Sequence, residues 1–264
     1  TYSSLNWTGG IVQDNGGTMA LISSGSDITI PVGSTLIGNT PRSFTNMTVN
    51  GTLTHDTNGI TEVNKINYTI SGNFTLASGA IIDIDNKGYT GSEGPGQGQD
   101  HSAGAGGGGY GGEGGIGQNY GYYLGGVGGV SYGSYSAPVD LGSGGGLKDL
   151  LYAPGGGAVQ LTVDGTTTIN GTISSNGAYG RAYHGSSGGG SGGSIYIITN
   201  VLAGNGVLRA NGGATQDWDS SRYYGGGGGG GRIALYYTID SSAFVTLSAK
   251  GGKPPGVKAQ LGGG

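Results

Sequence analysis

Apolar and polar residues alternate in short runs along most of the chain. Residues 159–163 read VQLTV and residues 195–199 read IYIIT, and Gly and Asn are frequent around such runs. An alternation of period two predicts β-strands with one buried face. A helical pattern is confined to residues 147–151, which would form a single turn. The sequence therefore predicts an all-β fold.

Several of these strand-rich segments repeat one arrangement. Each begins with an apolar strand, passes a short polar corner, continues as a second strand and ends in small residues. The segments are 68–88, 159–177, 195–213 and 233–252, and residues 47–56 match the first part of the unit. The last three begin 36 and 38 residues apart. A unit this short cannot bury its own apolar face, whereas stacked units can.

Two architectures accommodate this repeat. In a parallel β-helix or solenoid, the strands of one coil pair with those of the next coil. The corners Asp164–Gly165 and Asn205–Gly206 suit turns with positive φ. They also suit hairpins, from which a β-sandwich would be built. We expect the solenoid, with the sandwich as the alternative. Residues 1–45 depart from the repeat and are predicted to be a cap or assembly segment, whereas 46–264 form the repeat domain.

Glycine accounts for 66 of the 264 residues and is concentrated between the repeat units. The glycine-rich segments are 89–157, 178–194 and 214–232. Because glycine has no Cβ, its backbone can lie directly against another backbone or an aromatic ring. We expect extended strands of the polyproline II type, laid side by side and bonded through backbone N–H and C=O groups. Most of the 17 tyrosines lie in these segments, where their rings are expected to cover glycine backbone.

The repeats carry a family resemblance. The segments SGGGSGGSIYI, LAGNGVLRANGG and GGGGGGGRIALYY occur in that order between residues 187 and 237. This pattern resembles the glycine-rich repeats of large secreted prokaryotic surface proteins and adhesins, closely over 155–252 and loosely over 68–115. The resemblance implies an extracellular, cell-surface β-solenoid with a structural or adhesive role. It specifies a repeat architecture and no activity.

Charge and composition narrow the possible partners. Only 10% of the residues are charged and the net charge is −4, which argues against binding of nucleic acid or an anionic membrane surface. No apolar run is long enough to cross a bilayer, so no membrane insertion is expected. The absence of cysteine excludes disulfides and thiol catalysis. The glycine runs lack the Lys and helix of a phosphate-binding loop.

Asparagine glycosylation is the modification that the sequence suggests. Six N-x-T sequons begin at Asn6, Asn46, Asn50, Asn67, Asn73 and Asn170. In a secreted protein such sequons are acceptors for N-glycans, and Asn6, Asn46 and Asn67 are the strongest candidates. The alternative is a polar strand face, because residues i and i+2 of a strand point the same way.

Acidic residues supply the remaining candidates. Asp83 and Asp85 lie on one side of a predicted strand, but the residues that follow fail the spacing of a calcium-binding loop. Solvated carboxylates are expected there, with a structural calcium as the weaker alternative and no other cofactor. Trp218, between Asp217 and Asp219, is a candidate for stacking on a sugar. The three histidines are scattered, and no catalytic motif is recognisable, so the chain is not expected to be an enzyme.

The sequence therefore predicts a structural subunit of an extracellular filament or surface coat. Copies of the subunit would join through their strand edges into a homopolymer, with residues 1–45 as the donated or receiving element. One alternative is an adhesin module that binds surface glycans. A second alternative is a β-helix enzyme that degrades polysaccharides, in which Asp83 or Asp217 would be essential.

Overall fold

A computed structural model gives the fold of this chain. It describes residues 11–14, 26–118, 124–147, 153–181, 186–215, 224–243, 245–254 and 262–264. In these ranges there is no helix, and fifteen strands form two sheets of parallel strands. The all-β prediction is confirmed, and the arrangement fits a β-helix or solenoid-like stack. The helical turn considered at 147–151 lies outside the described residues except for Leu147.

Each coil of the stack contributes strands to both sheets. The first sheet has the order β1 (Ile11–Asp14), β3 (Thr35–Gly38), β6 (Thr52–Thr54), β9 (Ile81–Asp83), β11 (Thr172–Ser174), β13 (Val207–Arg209) and β15 (Thr246–Ser248). The second sheet has the order β14 (Arg232–Ser242), β12 (Ser194–Gly204), β10 (Ala158–Ile169), β8 (Phe74–Leu76), β5 (Met47–Val49) and β2 (Ile28–Ile30). Two further strands of this sheet, β7 (Ile66–Ile70) and β4 (Arg42–Phe44), continue it beside the first half of β10.

The register between coils follows the predicted repeat. Val159 pairs with Ile195, and Ile195 pairs with Ile233, which are the starts of the last three units. The first unit is displaced by two residues, because Val159 pairs with Ile66 and not with Tyr68. The sandwich alternative is wrong, since every pairing between the described strands is parallel whereas hairpins need antiparallel strands.

The predicted positive-φ turns are also wrong. Asp164–Gly165 lies inside β10, where the register with β12 shifts between Val163 and Thr166 as in a β-bulge. At the other corner, positive φ occurs at Gly204 and not at Asn205–Gly206. Gly165 is required for a different reason, since a Cβ there would lie 2.5 Å from the Asn73 side-chain oxygen and the Gly72 carbonyl of the preceding coil.

The core lies between the two sheets and consists of columns of stacked side chains. Alternate residues of each strand point inward, so that paired strands place apolar residues directly above one another. In the first sheet, Ile82, Ile173 and Leu208 form one such column and are fully buried. Among the described strands the column ends on β15 with Leu247, which is 52% exposed.

Residues 26–45 belong to the same stack. Strand β2 pairs with β5, β3 pairs with β6, and β4 pairs with β7. Ile30, Leu36 and Phe44 from this stretch are buried in the common core. The described part of the predicted N-terminal segment therefore packs as coils of the solenoid-like stack, and its role as a cap or assembly element stays a prediction.

The first test concerns the inward columns. We expect Ile82→Ala to lower the free energy of unfolding by about 2–5 kcal/mol, because the substitution leaves a cavity between two sheets. Ile81→Ala is the matched control, since Ile81 is the adjacent residue of the same strand and only half-buried. Urea unfolding followed by circular dichroism measures both. Equal losses for the two variants would contradict the assigned inward face.

Candidate functional site: the glycine layer and the open end

The glycine-rich segments are tied together by main-chain hydrogen bonds that repeat every three residues. We refer to the described residues of 89–157, 178–194 and 214–232, with Gly262–Gly264, as the glycine layer. Within residues 105–109, the backbone N–H groups donate in turn to different neighbouring segments of the layer. The N–H groups bond from Ala105 to Ser186, Gly108 to Gly189, Gly106 to Gln99, and Gly109 to Gly96. Each neighbouring segment therefore accepts a hydrogen bond from every third residue.

The glycine run 225–231 lies inside this layer, and all seven residues are buried. Its N–H groups also bond to several chains in turn. They bond from Gly226 to Ala105, Gly229 to Gly108, Gly228 to Gly213, Gly231 to Ala210, and Gly230 to Gly263. The run thus enters β14 from a position already fixed by hydrogen bonds on several sides.

Close approach of the chains explains why these positions are glycine. A Cβ at Gly228 would overlap the main-chain carbonyl of Gly190, and a Cβ at Gly189 would overlap that of Gly213. Overlap with backbone cannot be relieved by rotation of a side chain. The same crowding occurs at most glycines of the layer, so any larger residue would separate hydrogen-bonded chains.

Two tyrosines anchor the layer to the sheets. The rings of Tyr110 and Tyr132 lie 4.9 Å apart, and Tyr110 shares a 2.6 Å hydrogen bond with the Ser194 hydroxyl at the start of β12. Burial raises the pKa of Tyr110 to about 12 and raises the pKa of Tyr132 as well. The Arg232 guanidinium lies 5.4 Å from the Tyr110 ring centre and donates to the Tyr132 carbonyl. Ring packing against glycine also occurs, since a Cβ at Gly96 would meet Tyr132 at 3.0 Å.

A ladder of side-chain acceptors lies where the first sheet meets the glycine layer. The Asp85 carboxylate accepts from the Asn176 N–H, the Asn176 side-chain oxygen accepts from the Asn211 N–H, and the Asn211 oxygen accepts from the Lys250 N–H. The distances are 2.6, 2.8 and 2.9 Å. We call this set the exit ladder. It fixes the register of successive coils, and sequence analysis missed it although Asp or Asn recurs two residues after the ends of β9, β11 and β13.

The candidate calcium residues take part in this structure. Asp85 also accepts from the Ser174 hydroxyl, while Asp83 accepts from the Asp85 N–H at 3.2 Å. Burial raises the pKa of Asp83. Within the described ranges, no group of three acidic, His or Cys residues could hold a metal ion. For Asp85 the interpretation as a simply solvated carboxylate is wrong, because this residue is hydrogen-bonded to the next coil.

A second ladder contains two of the sequon asparagines. The Asp27 carboxylate accepts from the Asn46 N–H, the Asn46 oxygen accepts from the Asn73 N–H, and the Asn73 oxygen accepts from the Thr166 N–H. The Asn46 amide also donates to Asp27 at 2.9 Å. These two sequons therefore have a structural use, and glycosylation stays a prediction for all six. Asn50 and Asn67 are half-buried, Asn170 is exposed, and Asn6 lies outside the described residues.

A buried histidine joins the stack to the glycine layer. His55 follows β6 and is fully buried. Its Nδ1 donates to the Asp56 carbonyl at 2.7 Å, and its Nε2 accepts from the Ala158 N–H at 3.2 Å, where the chain enters β10 from the glycine layer. Burial lowers the pKa of His55 to about 4, and the Lys87 charge acts in the same direction. The imidazole is therefore neutral at pH 7.

The last coil leaves the core open. Among the described strands, β14 and β15 are the final strands of their sheets, and none of these strands pairs above the inward column positions Leu235, Tyr237 and Leu247. Tyr237 is 45% exposed. These side chains border a depression of about 290 Å³ that reaches Leu202 and Val245. This open end presents both apolar side chains and unpaired strand edges.

The remaining predicted residues are not brought together. Trp218, Asp217 and Asp219 lie outside the described residues, as does His184. His55 is buried beneath β10, whereas His101 lies in the glycine layer and accepts from the Ala103 N–H. The described residues thus contain no cluster that resembles a catalytic centre.

Comparison with protein-family models, curated proteins and solved structures found no match. The resemblance to glycine-rich repeats of secreted surface proteins therefore stays a prediction. None of the described residues forms a helix that is long and apolar enough to span a bilayer.

The glycine layer can be tested at one main-chain contact. We expect Gly228→Ala to destabilise the protein by about 3 kcal/mol, because the added methyl group meets the Gly190 carbonyl in a layer that cannot give way. Gly59→Ala is the control, since Gly59 is exposed and its Cβ would meet nothing within 4 Å. Thermal unfolding and amide hydrogen exchange of residues 105–109 report the effect. Similar stability of the two variants would contradict the close packing.

A second test uses the pH dependence of stability. The pKa of His55 falls from 6.5 to about 4 on folding. As the pH is lowered, the imidazole is therefore protonated in the unfolded chain before it is protonated in the folded protein. The stability present above pH 6.5 is then lost as the pH falls towards 4, by about 3 kcal/mol. His55→Asn should flatten this loss in urea titrations at pH 7, 5.5 and 4, whereas the control His101→Gln should not. An unchanged slope in His55→Asn would rule out this role.

Proposed function

We propose that the protein is a structural subunit of an extracellular filament or surface coat that assembles from copies of itself. The observation that carries this proposal is the open end at β14 and β15. Apolar residues of the inward columns are exposed there, with Leu247 at 52%, although the same columns are fully buried in the preceding coils. Exposed strand edges of this kind attract further strands unless they are blocked.

The proposed partner is the opposite end of a second copy. All strand pairings are parallel, so the two ends of the stack present different edges and can join only head to tail. Such a heterologous contact does not close on itself unless the rotation forms a ring, and it therefore extends into a fibre. In this arrangement the N-terminal segment 1–45 of the next copy supplies the coil that follows β15.

The proposal includes a material role for the glycine layer. We infer that its chains have the polyproline II conformation, which has three residues per turn. The support is the hydrogen-bond pattern, in which residues 105–109 and 226–231 bond to each neighbouring chain at every third position. A layer bonded in this way along one side of the stack would stiffen each subunit against bending.

The other functions considered have less support. An enzyme that degrades polysaccharides would need free acidic groups, but Asp83 is bonded to the main chain and Asp217 lies outside the described residues. The low charge of the chain suits an extracellular polymer and gives no basis for nucleic-acid binding. A glycan-binding role is favoured by a separate surface, the outward face of the second sheet.

Assembly through the open end predicts a defined mutant phenotype. Purified protein should form fibres visible by negative-stain electron microscopy, and Leu247→Asp should abolish them, because a carboxylate would be buried in the joint. Ile60→Asp is the control, since Ile60 is 68% exposed and lies away from both ends of the stack. Analytical ultracentrifugation should give a folded monomer for Leu247→Asp. Fibres from that variant, or none from the unchanged chain, would refute the proposal.

A further inference from the structure

The outward face of the second sheet carries a polar and aromatic strip. Gln160 pairs with Asn67 on one side and with Tyr196 on the other. Their neighbours along each strand, such as Leu161 and Ile197, are buried, so these three side chains point away from the core. Tyr236 lies one strand further, with its ring centre 6.0 Å from that of Tyr196 in an edge-to-face arrangement.

A shelf flanks one side of this strip. Val139 belongs to the glycine layer, and its carbonyl accepts from the Lys65 ammonium at 3.1 Å. The neighbouring Asp140 carbonyl accepts from the Ser194 hydroxyl, which fixes the shelf to the start of β12. Between shelf and sheet lies a small cleft of about 30 Å³ lined by Asn67, Gln160 and Val139.

The side chains of the strip are free to bind a partner. Neither the Asn67 amide nor the Gln160 amide has a hydrogen-bond partner among the described residues. The Tyr236 side chain is substantially exposed, at 46%. Among the described residues that line the cleft, Lys65 alone is charged, and it forms an ion pair with Glu62. The strip therefore offers amide hydrogen bonds and aromatic faces without a free charge.

We propose that this strip binds a linear, neutral polysaccharide that runs along the axis of the stack. Amides bind sugar hydroxyls, and tyrosine rings stack on the C–H face of a pyranose while their hydroxyls stay in water. Adjacent strands are about 4.8 Å apart, so the side chains recur at a spacing comparable to one sugar unit. A polymer chain would thereby contact Asn67, Gln160, Tyr196 and Tyr236 in succession, with Val139 along its edge.

The strip reaches the open end through Tyr236 on β14, whereas Asn67, Gln160 and Tyr196 lie on strands further inside the stack. Leu247 lies in the first sheet, whereas all four strip residues lie in the second. Binding can therefore be measured on the full chain carrying Leu247→Asp as well as on the unchanged chain. Protein from a host without N-glycosylation is needed, because a glycan on Asn67 would cover the strip.

The experiment is isothermal titration with cellohexaose, chitohexaose, xylohexaose and mannohexaose, supported by retention on the insoluble polymers. We expect binding to at least one of them. Tyr196→Ala and Gln160→Ala should each weaken it by at least about 10-fold, since each removes a contact to the sugar. Tyr179→Ala is the control, because Tyr179 is 62% exposed but lies in the glycine layer. The unfolding midpoints of the three variants should agree with that of the parent.

Several results would overturn the proposal. The proposal is refuted if none of the four glycans binds. It is also refuted if Tyr179→Ala weakens glycan binding as much as Tyr196→Ala and Gln160→Ala do. Retention of an unstructured peptide mixture in place of the glycans would identify the strip as a protein-binding surface. Loss of fibres in Leu247→Asp with glycan binding intact would separate this site from assembly.

Discussion

Close approach between main chains is the constraint on which the rest of this structure depends. Successive coils of the stack and neighbouring chains of the glycine layer are held by the same N–H to carbonyl bonds. In the sheets these bonds leave room for side chains on both faces. In the layer, chains surround one another on several sides, so a Cβ at Gly189 or Gly228 would overlap a carbonyl. One quarter glycine is therefore a packing requirement of this fold.

Asparagine and aspartate provide the second element of order. At the exit ladder, Asn176 and Asn211 each bond to the main chain of the following coil. The ladder through Asn46 and Asn73 does the same in the earlier coils. A strand without such bonds could slip by two residues and keep its apolar face inward. Side-chain bonds at fixed points exclude that slip.

Sequence patterns predicted much of the fold because the strands alternate strictly. The starts Val159, Ile195 and Ile233 were placed in the correct register by the repeat alone. The first unit was displaced by two residues, since an alternating strand has the same pattern after such a shift. The bulge at Asp164–Gly165 resembles a turn in sequence, because both need small or polar residues. The contact between His55 and Ala158 joins residues far apart in the sequence, so no local sequence pattern predicts it.

The exit ladder ends at Lys250, and this end affects how a further coil could be held. It donates its N–H to Asn211, but its own side chain has no oxygen with which to accept from a following coil. Copies joined above this point would lack the side-chain bonds that connect the coils within one copy. In the proposed filament, a joint at this point would therefore rest on main-chain bonds and apolar contacts without the exit ladder.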